Sequence, residues 1–396
     1  MLAVLVETPD YLCWREALGR RPFDVMIAAE SPSVVDDLAG LLAERDLRPE
    51  LVLAGFERYT APALALARRL DLLQAAGSPR FVAPYKAGQR NAVAAYGLSV
   101  RQPNYAAVRT LDEACEVATD FSYPVVVKPG DGGGGLGVVL VSEFDGMKSI
   151  PHLLAGLANY DGGDFDGWLV EEYVKGTETS VQGVVAAGSV EILTYCEKLI
   201  SIEPDPRWSL LASFREAGHV ARPGAEADEV LRRFTADCLA AVGYQEGPFH
   251  VDLIRDGTSL RLLEMGFRLS GMRVTEIVRR VSGVDWAEAT FRAHLRDGQV
   301  AAPAFTPEHR YCGQLTVRNE ASLARAEQLA AEVPQATVEV DRYQPPQLPP
   351  EWGGQIPASL RSDIGRHAGA TGRISVFSDS ASDVTALLDR CRVATR

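Results

Sequence analysis

The sequence predicts an α/β fold class with an α+β segment at its centre, and three observations lead to this prediction. Residues 1–80 alternate strand-like and helix-like runs, which is the βαβ rhythm of a small parallel sheet. A β-rich run, a glycine loop and a second β-rich run follow at 125–141. Residues 248–265 contain two strand-like runs around Asp256-Gly257, a pair of residues typical of tight hairpin turns.

The N-terminal elements follow directly from the pattern. The runs LAVLVE, DVMIAA and ELVLAGF are strand-like, and SVVDDLAGLLAERD and TAPALALARRL are helix-like. The first strand leads into ETPDYL, which has no glycine cluster. We therefore expect a Rossmann-like domain that lacks the phosphate-binding loop of dinucleotide enzymes.

Further along the chain, helices and short strands alternate less regularly. The pattern predicts helices over 86–98, ended by Gly97, near 111–119, and over 226–242. Between residues 104 and 190, short strand-like runs are separated by Gly and Asp turns.

Composition excludes several classes of protein. The 396 residues have a net charge of −13 and contain 46% hydrophobic and 23% charged residues, which is ordinary for a soluble globular protein. The negative charge argues against nucleic acid or an anionic membrane as partner, and no apolar run is long enough for a membrane span. The six cysteines are scattered without a C-x-x-C pair, so we expect free thiols and a cytoplasmic location.

The glycine loop suggests a phosphate site. Lys128 ends the first β-rich run, and Gly130 and Gly132–Gly135 follow it. The loop matches G-x-G-x-x-G, but a strand rather than a helix comes next, so the dinucleotide interpretation fails on context. Glycine lets backbone N–H groups approach an anion closely, and a lysine supplies a point charge. The alternative is a flexible surface hairpin with a solvated lysine.

The hairpin at 248–265 carries two carboxylates. A register centred on Thr258 places Asp252 opposite Glu264, with Cβ atoms about 4.5–5.5 Å apart. Two such carboxylates repel each other unless a cation lies between them, and Mg²⁺ suits this oxygen ligation. The other face is apolar and can be buried: Val251, Leu253, Leu263 and Met265. The site face would carry His250, Ile254, Leu262 and Gly266 as well. The alternative is that both acids are solvated on an outer face.

Taken in order, these motifs resemble the ATP-grasp superfamily, and most closely the carboxylate–amine ligases that join amino acids (L-amino acid or dipeptide ligases). The resemblance covers roughly residues 1–300 and includes YKAGQRNAVAAYGL, YPVVVKPGDGGGGLGVVLV, WLVEEYVKGTETSVQGVV and FHVDLI…LRLLEMGFRLSG. It implies an ATP-grasp fold with four units: an N-terminal Rossmann-like domain (1–105), a lid (106–190), a core with the metal hairpin (191–300) and a C-terminal α+β extension (301–396).

The resemblance also implies roles for individual residues. Lys86 would contact the nucleotide phosphates, and Lys128 would contact the α- and β-phosphates and take part in catalysis. The loop glycines Gly133, Gly134 and Gly135 would close over them. Glu171 and the backbone of Glu172 and Val174 would contact adenine, and Glu178 would hold the ribose hydroxyls. Asp252 and Glu264 would ligate Mg²⁺, for which Mn²⁺ can substitute, and Arg268 would stabilise the transferred phosphate or the acyl phosphate.

One position departs from the family pattern. Many ATP-grasp enzymes carry Asn two residues after the second metal-binding Glu, where this chain has Gly266. A metal ligand is therefore missing or replaced by water, which puts a second Mg²⁺ in doubt.

The resemblance predicts an ATP-dependent ligase that forms an amide through an acyl phosphate, with small-molecule acid and amine substrates. Candidate substrate residues are Glu197, Lys198, Arg215 and His219 within 195–224, and Arg273. Two alternatives stay open: an ATP-grasp enzyme with another nucleophile, such as a carboxylase or thiol ligase, and an ATP-binding protein with lost chemistry. Ligases of this kind are often dimers, so a homodimer is one expectation.

Overall fold

The protein is described by a computed structural model covering residues 2–20, 23–72, 74, 81, 85–97, 100–160, 162–295, 303, 305–307, 309–345, 347–365 and 369–392. The strands are β1 (Val4–Glu7), β2 (Val25–Ala28), β3 (Tyr105–Val108), β4 (Val125–Pro129), β5 (Val139–Val141), β6 (Trp168–Glu172), β7 (Thr177–Ala186), β8 (Ser189–Pro204), β9 (Leu211–Pro223), β10 (Gly247–Asp256), β11 (Ser259–Gly266), β12 (Tyr311–Val317), β13 (Thr337–Arg342) and β14 (Gly372–Ser378). The helices are α1 (Pro9–Ala17), α2 (Val35–Glu44), α3 (Thr60–Arg69), α4 (Lys86–Tyr96), α5 (Leu111–Val117), α6 (Phe144–Met147), α7 (Ile150–Leu154), α8 (Glu229–Ala241), α9 (Val274–Ser282), α10 (Trp286–His294), α11 (Glu320–Glu332), α12 (Arg361–Gly365) and α13 (Ala381–Cys391).

The N-terminal residues form the predicted βαβ unit. Strands β1 and β2 pair in parallel, and α1 connects them, with the Thr8 hydroxyl accepting from the Tyr11 N–H at its first turn. The predicted third strand, ELVLAGF, is wrong, because residues 51–54 adopt no strand. Instead, the Gln74 side chain takes both backbone groups of Val52: its Oε1 accepts from the N–H at 2.7 Å and its Nε2 donates to the carbonyl at 2.6 Å. A side-chain amide thus replaces the neighbouring strand.

Most of the described strands join one large antiparallel sheet. Its path is β11-β10-β7-β8-β9-β5-β4-β6-β3. The long strand β9 branches the sheet: residues 211–213 pair with β5, whereas residues 218–221 pair with β12, which continues to β14 and β13. The lid strands and the C-terminal strands are therefore both attached to β9. Together with the N-terminal unit, this architecture confirms the predicted mixed helix-and-sheet class.

The glycine loop lies between two paired strands, as predicted. Val125 of β4 is opposite Val141 of β5, and Val127 is opposite Val139. The chain enters a strand after the loop, so no helix N-terminus is available to hold a pyrophosphate in the Rossmann manner.

The β10–β11 hairpin has the predicted pairing of Asp252 with Glu264, but a β-bulge changes the register nearer the turn. The turn has two residues, and Leu253 lies opposite Leu262, so that Leu263 is the extra residue. The prediction that Leu263 belongs to the buried face is therefore wrong. Leu262 is fully buried beside Val251 and Leu253, and Leu263 lines a pocket on the other face.

Several smaller expectations can be compared with the structure. Helix α4 ends before Gly97, whose φ of 121° suits glycine. All six cysteines are free, and four of them are buried. Within the described ranges, no helix combines the length and the apolar content needed to cross a membrane.

Candidate functional site

A cavity of about 390 Å³ is lined by residues of β4, β6, β7, β8, β9, β10 and β11. Twelve of the residues singled out in the sequence line it: Lys86, Lys128, Gly134, Gly135, Glu171, Glu172, Val174, Glu178, Lys198, Arg215, Asp252 and Glu264. Five others do not: Gly133, Glu197, His219, Arg268 and Arg273. The fold thus brings together motifs that are up to 178 residues apart in the chain, from Lys86 to Glu264.

Lys128 belongs to a buried triad with Glu171 and Arg90. Lys128 Nζ lies 2.6 Å from Glu171 Oε2, and Arg90 Nε lies 2.8 Å from Glu171 Oε1. All three side chains are at most 8% exposed. The Glu171 carboxylate therefore holds two cations, and its contact with adenine stays a prediction.

Burial and charge shift the pKa values in this triad. Desolvation lowers the pKa of Lys128 to about 8, with help from the neighbouring cations Arg90 and Lys86, although Glu171 opposes the shift. Burial alone would raise the pKa of Glu171, but Arg90 and Lys128 outweigh it and lower that pKa. Near neutral pH the triad therefore consists of one anion between two cations and has a net positive charge.

Lys86 and Glu264 form a second ion pair. Lys86 begins α4, is buried, and places Nζ 3.4 Å from Glu264 Oε2. Its ammonium also donates to the carbonyl of Gly132 in the glycine loop. Burial opposes ionisation of Glu264, yet Lys86 and Lys128 lower its pKa to about 2. One lysine thus connects the backbone of the glycine loop to the carboxylate hairpin.

Lys198 lies at the centre of three carboxylates. Its Nζ is 2.6 Å from Asp252 Oδ2, 2.7 Å from Glu178 Oε1 and 3.6 Å from Glu216 Oε2. Burial would lower the pKa of Lys198, but these anions raise it well above its usual value. The other Asp252 oxygen accepts from the Ser180 hydroxyl at 2.5 Å. Lys198 therefore neutralises a strongly acidic part of the pocket.

The glycine loop adopts the backbone that the sequence suggested. Gly134, Gly135 and Gly137 have φ values of 59°, 80° and 71°, in the left-handed region where glycine is favoured. A Cβ at Gly137 would lie 2.8 Å from the Pro129 ring. The Tyr160 hydroxyl donates to the carbonyl of Gly133 at 2.9 Å, which attaches the loop to the rest of the lid.

The opposed carboxylates fit a magnesium ion only if a bound molecule supplies the remaining coordination positions. Asp252 and Glu264 supply hard oxygen donors from adjacent strands. Among the described residues, however, no group of three His, Cys, Asp or Glu side chains could hold a metal ion by itself. Mg²⁺ commonly binds through one or two carboxylates together with substrate phosphates, so the donor set suits a metal delivered with a nucleotide.

The far end of the cavity is lined by residues suited to a small polar molecule. Glu216 lines the wall, and its Oε1 is 2.8 Å from Nε2 of His219, which is buried behind it. Arg215 also lines the wall and pairs with Glu203. Met272, Thr316 and Arg318 complete this end.

Three predicted residues lie away from the cavity wall and have other partners. Arg268 Nε is 2.9 Å from Glu57 Oε2 of the N-terminal unit. Glu197 is 3.5 Å from Arg222 Nη2. Arg273 Nη1 is 2.5 Å from Asp341 Oδ2, and half of its side chain is exposed.

Sequence reasoning missed the roles of Arg90 and Glu216. Arg90 lies four residues after Lys86 in the same helix, a spacing that puts both on one helix face, so this signal could have identified it. Glu216 lies three residues before His219 in a β-strand, where nothing in the local pattern marks it.

Comparison with known proteins gives consistent results. Residues 121–276 match the family model of the ATP-grasp domain. The chain is 29% identical over 212 residues to a D-alanine–D-alanine ligase from Geobacter sulfurreducens, covering 50% of this chain and 60% of that protein. It is 30% identical over 174 residues to carnosine synthase 1 from Mus musculus, covering 41% of this chain and 20% of that protein. The chain thus spans less than two thirds of each curated relative.

A solved structure shows similarity over almost the whole chain. An L-amino acid ligase from Bacillus licheniformis superposes with a TM-score of 0.63 at 16% identity, covering 98% of this chain and 96% of that one. This similarity shows that the two chains share a fold.

Proposed function

Because residues 121–276 match the family model of the ATP-grasp domain, we propose that this protein is an ATP-dependent ligase that joins a carboxylic acid to an amine, with amino acids as substrates. The observation that carries the proposal is the 390 Å³ cavity, which collects three lysines, a glycine loop and an opposed carboxylate pair. The similarity to a D-alanine–D-alanine ligase, to carnosine synthase 1 and to an L-amino acid ligase supports amino acids as the substrates.

The lid end of the cavity would hold ATP. The β6 strand end, with Glu172 and Val174, would offer backbone groups to adenine, and Glu178 would accept the ribose hydroxyls. Lys128, which Glu171 holds in place, would contact the phosphates, and the glycine loop would close over them. A chelated magnesium would lie on Asp252 and Glu264 and neutralise phosphate charge as it develops.

The chain's own cations would supply the remaining electrostatic stabilisation. Lys86 and Lys198 each balance a hairpin carboxylate in the structure. Both ammonium groups would also be available to phosphate oxygens of a bound nucleotide. They are already positioned and partly desolvated, so little reorganisation is needed during the reaction.

The proposed reaction has two steps. A carboxylate oxygen of the acid attacks the γ-phosphorus of ATP, the bond to ADP breaks, and an acyl phosphate forms. The amine nitrogen then attacks the acyl carbon, phosphate leaves, and the nitrogen loses a proton. Closure of the lid would exclude water, which would otherwise hydrolyse the acyl phosphate.

The amine would bind at the far end of the cavity. Glu216 presents a carboxylate there, and His219 holds its other oxygen. A carboxylate so placed can orient an ammonium group, and the neighbouring imidazole can accept a proton as the amine becomes a nucleophile. Arg215 would contact the carboxylate of an amino-acid amine substrate.

The first test is phosphate release from Mg·ATP with amino acids supplied singly and in pairs, followed by mass spectrometry. We expect release that depends on a particular pair, together with ADP and a product whose mass is the sum of the two acids minus water. Calorimetric ATP binding without release for any pair would contradict the ligase and favour another nucleophile or a protein that binds ATP without chemistry.

A further inference from the structure

A second cavity, of about 100 Å³, lies where the N-terminal unit meets the core. Residues 52–64 form one side, and residues 244–248, 267–269 and helix α10 form the other. Phe81, Tyr244 and Phe267 pack in its wall, with ring centroids 4.6–5.0 Å apart. No residue lines both this cavity and the larger one among those described.

Buried polar atoms without a hydrogen-bond partner lie in the wall of this cavity. Among them are Oγ1 of Thr60 and Nδ1 of His294, and both residues are less than 9% exposed. Burial lowers the pKa of His294 to about 4, so its ring is neutral at pH 7 and has one acceptor nitrogen. Buried polar groups are almost always paired. The cavity therefore suits a group with a hydroxyl or N–H donor.

Arg268 also lines this cavity, and its present ion pair is weak. Nε and Oε2 of Glu57 are 2.9 Å apart, yet neither Glu57 oxygen accepts a hydrogen bond, and Nε donates none. The distance between Nε and Oε2 would suit a hydrogen bond, but the angle at these atoms does not allow one. A carboxylate arriving in a bidentate orientation would bind this guanidinium better than Glu57 does.

We propose that the small cavity holds the side chain of the acid substrate, whose carboxylate is held by Arg268. This proposal rests on the proposed ligase function. Residues 267–269 line the cavity and directly follow the metal hairpin in the chain. Because a cavity of about 150 Å³ holds benzene, this one accepts a smaller group. The acid is therefore an amino or hydroxy acid with a short, uncharged side chain that carries a donor, as threonine does.

The test uses two variants that change the size of the cavity and one matched control. Ala63→Leu fills it from helix α3, and Phe291→Ala enlarges it from helix α10. Ala65→Leu adds the same side chain to an exposed position of α3 that does not line the cavity. Each protein is assayed with alanine, threonine, valine, leucine and phenylalanine as the acid, by turnover and by calorimetric binding in the presence of a non-hydrolysable ATP analogue.

We expect Ala63→Leu to lower the turnover and binding of threonine, relative to those of alanine, at least tenfold. Phe291→Ala should allow leucine or phenylalanine to be used as the acid. Ala65→Leu should behave as wild type. Thr60→Val should reduce the preference for threonine over valine about fivefold, the value of one hydrogen bond. An unchanged preference would mean that the cavity holds only water and would overturn the proposal.

The two proposals fail differently. If pairs of amino acids are ligated but neither cavity variant alters selectivity, the cavity proposal is overturned and the ligase stands. The opposite outcome is that no acid is turned over, but calorimetry shows threonine binding that Ala63→Leu abolishes and Ala65→Leu retains. In that case the cavity proposal is supported and the ligase proposal is contradicted.

Discussion

Each lysine of the large cavity is held by a carboxylate of its own. Lys128 is paired with Glu171, Lys86 with Glu264, and Lys198 with Asp252. Buried charges in a low-dielectric pocket are tolerated only when they are paired. Because each ammonium group has a carboxylate partner, the three can lie close together in the pocket. Without these carboxylates, a bound polyphosphate would be needed to balance their charge.

Glu264→Ala is expected to abolish turnover of Mg·ATP, a loss of at least about 100-fold, while leaving the fold intact. The carboxylate is one of two proposed magnesium ligands and the partner of Lys86, but it is not part of the apolar core. Phosphate release and far-UV circular dichroism provide the measurement. Glu143→Ala removes an exposed carboxylate elsewhere and should keep wild-type turnover. Near-wild-type turnover in Glu264→Ala would defeat the metal assignment.

Binding of ATP should weaken as the pH rises above about 8. The pKa of Lys128 is lowered from 10.5 to about 8 in the folded protein, chiefly by burial. Its ammonium is thus fully charged below pH 7 and loses its charge across pH 8–9, where phosphate binding needs it. Calorimetry with an ATP analogue from pH 7 to 9.5 should show a Kd that rises toward tenfold per pH unit on this limb.

The control for this pH dependence is Lys128→Arg, whose guanidinium stays charged over the whole range. Its affinity for the analogue should be lower but independent of pH. A wild-type Kd that stays constant to pH 9.5 would show that the nucleotide does not rely on the Lys128 charge.

At the scale of elements, Arg90 explains the bulge that sequence reasoning missed. Its Nη1 donates to the carbonyl of Leu262 at 3.0 Å, and its Nη2 donates to that of Leu263 at 2.8 Å. A bulge removes backbone groups from the ladder between strands, and a buried arginine from helix α4 satisfies them. One residue therefore supports both the hairpin bulge and the Glu171–Lys128 pair.

Gly266 and His250 form a second local arrangement in the hairpin, because they are opposite each other on adjacent strands. A Cβ at Gly266 would lie 2.0 Å from Cε1 of His250, so the imidazole fills the space of any side chain at 266. Gly266→Ala should therefore destabilise the protein by about 1–3 kcal/mol through overpacking. Denaturant unfolding provides the measurement.

The same substitution in a His250→Ala background should cost much less, because the clash is gone, and the difference is the coupling energy of the pair. Gly271→Ala, at a position where nothing lies within 4 Å of an added Cβ, should be nearly neutral. Equal costs of Gly266→Ala in both backgrounds would contradict the steric account.

Sequence reasoning reached the elements because these depend on local patterns, whereas the grouping of the motifs into one pocket came from the resemblance to ATP-grasp enzymes. The Asp252–Glu264 pairing, the strand after the glycine loop and the helix beginning at Lys86 all follow from alternation, turn residues and helical spacing. It failed where a distant side chain decides the backbone. Gln74 replaces a strand partner for Val52, Arg90 supports the bulge, and Glu57 pairs with Arg268. The two-carboxylate hairpin was predictable, whereas its lysine partners depend on tertiary packing.

At the scale of the whole molecule, the C-terminal part contacts both the large sheet and the N-terminal unit. Strand β12 extends the large sheet through β9, and a later segment packs on the N-terminal unit. Leu360 and Ile364 share a buried cluster with Tyr11, and Arg58 Nη1 is 3.3 Å from Asp363 Oδ2, with both side chains mostly buried. The division into four units stays a prediction, but these contacts mean that the N-terminal unit depends on residues near the other end.

Leu360→Ala should loosen the N-terminal unit without altering the nucleotide pocket. Leu360 is 1% exposed within the cluster around Tyr11, and truncating a buried leucine costs about 2–5 kcal/mol. This loss falls on a small cluster that does not line the 390 Å³ cavity. Hydrogen exchange should therefore increase in β1 and α1, while binding of an ATP analogue changes less than about twofold.

Leu329→Ala provides the matched control, because Leu329 is equally buried but belongs to the cluster formed by β12, β14, α11 and α13. It should lower overall stability by a similar amount while leaving exchange in β1 and α1 near its wild-type rate. If both variants accelerate exchange there equally, the C-terminal segment is not a specific support of the N-terminal unit, and the molecule unfolds as one cooperative body.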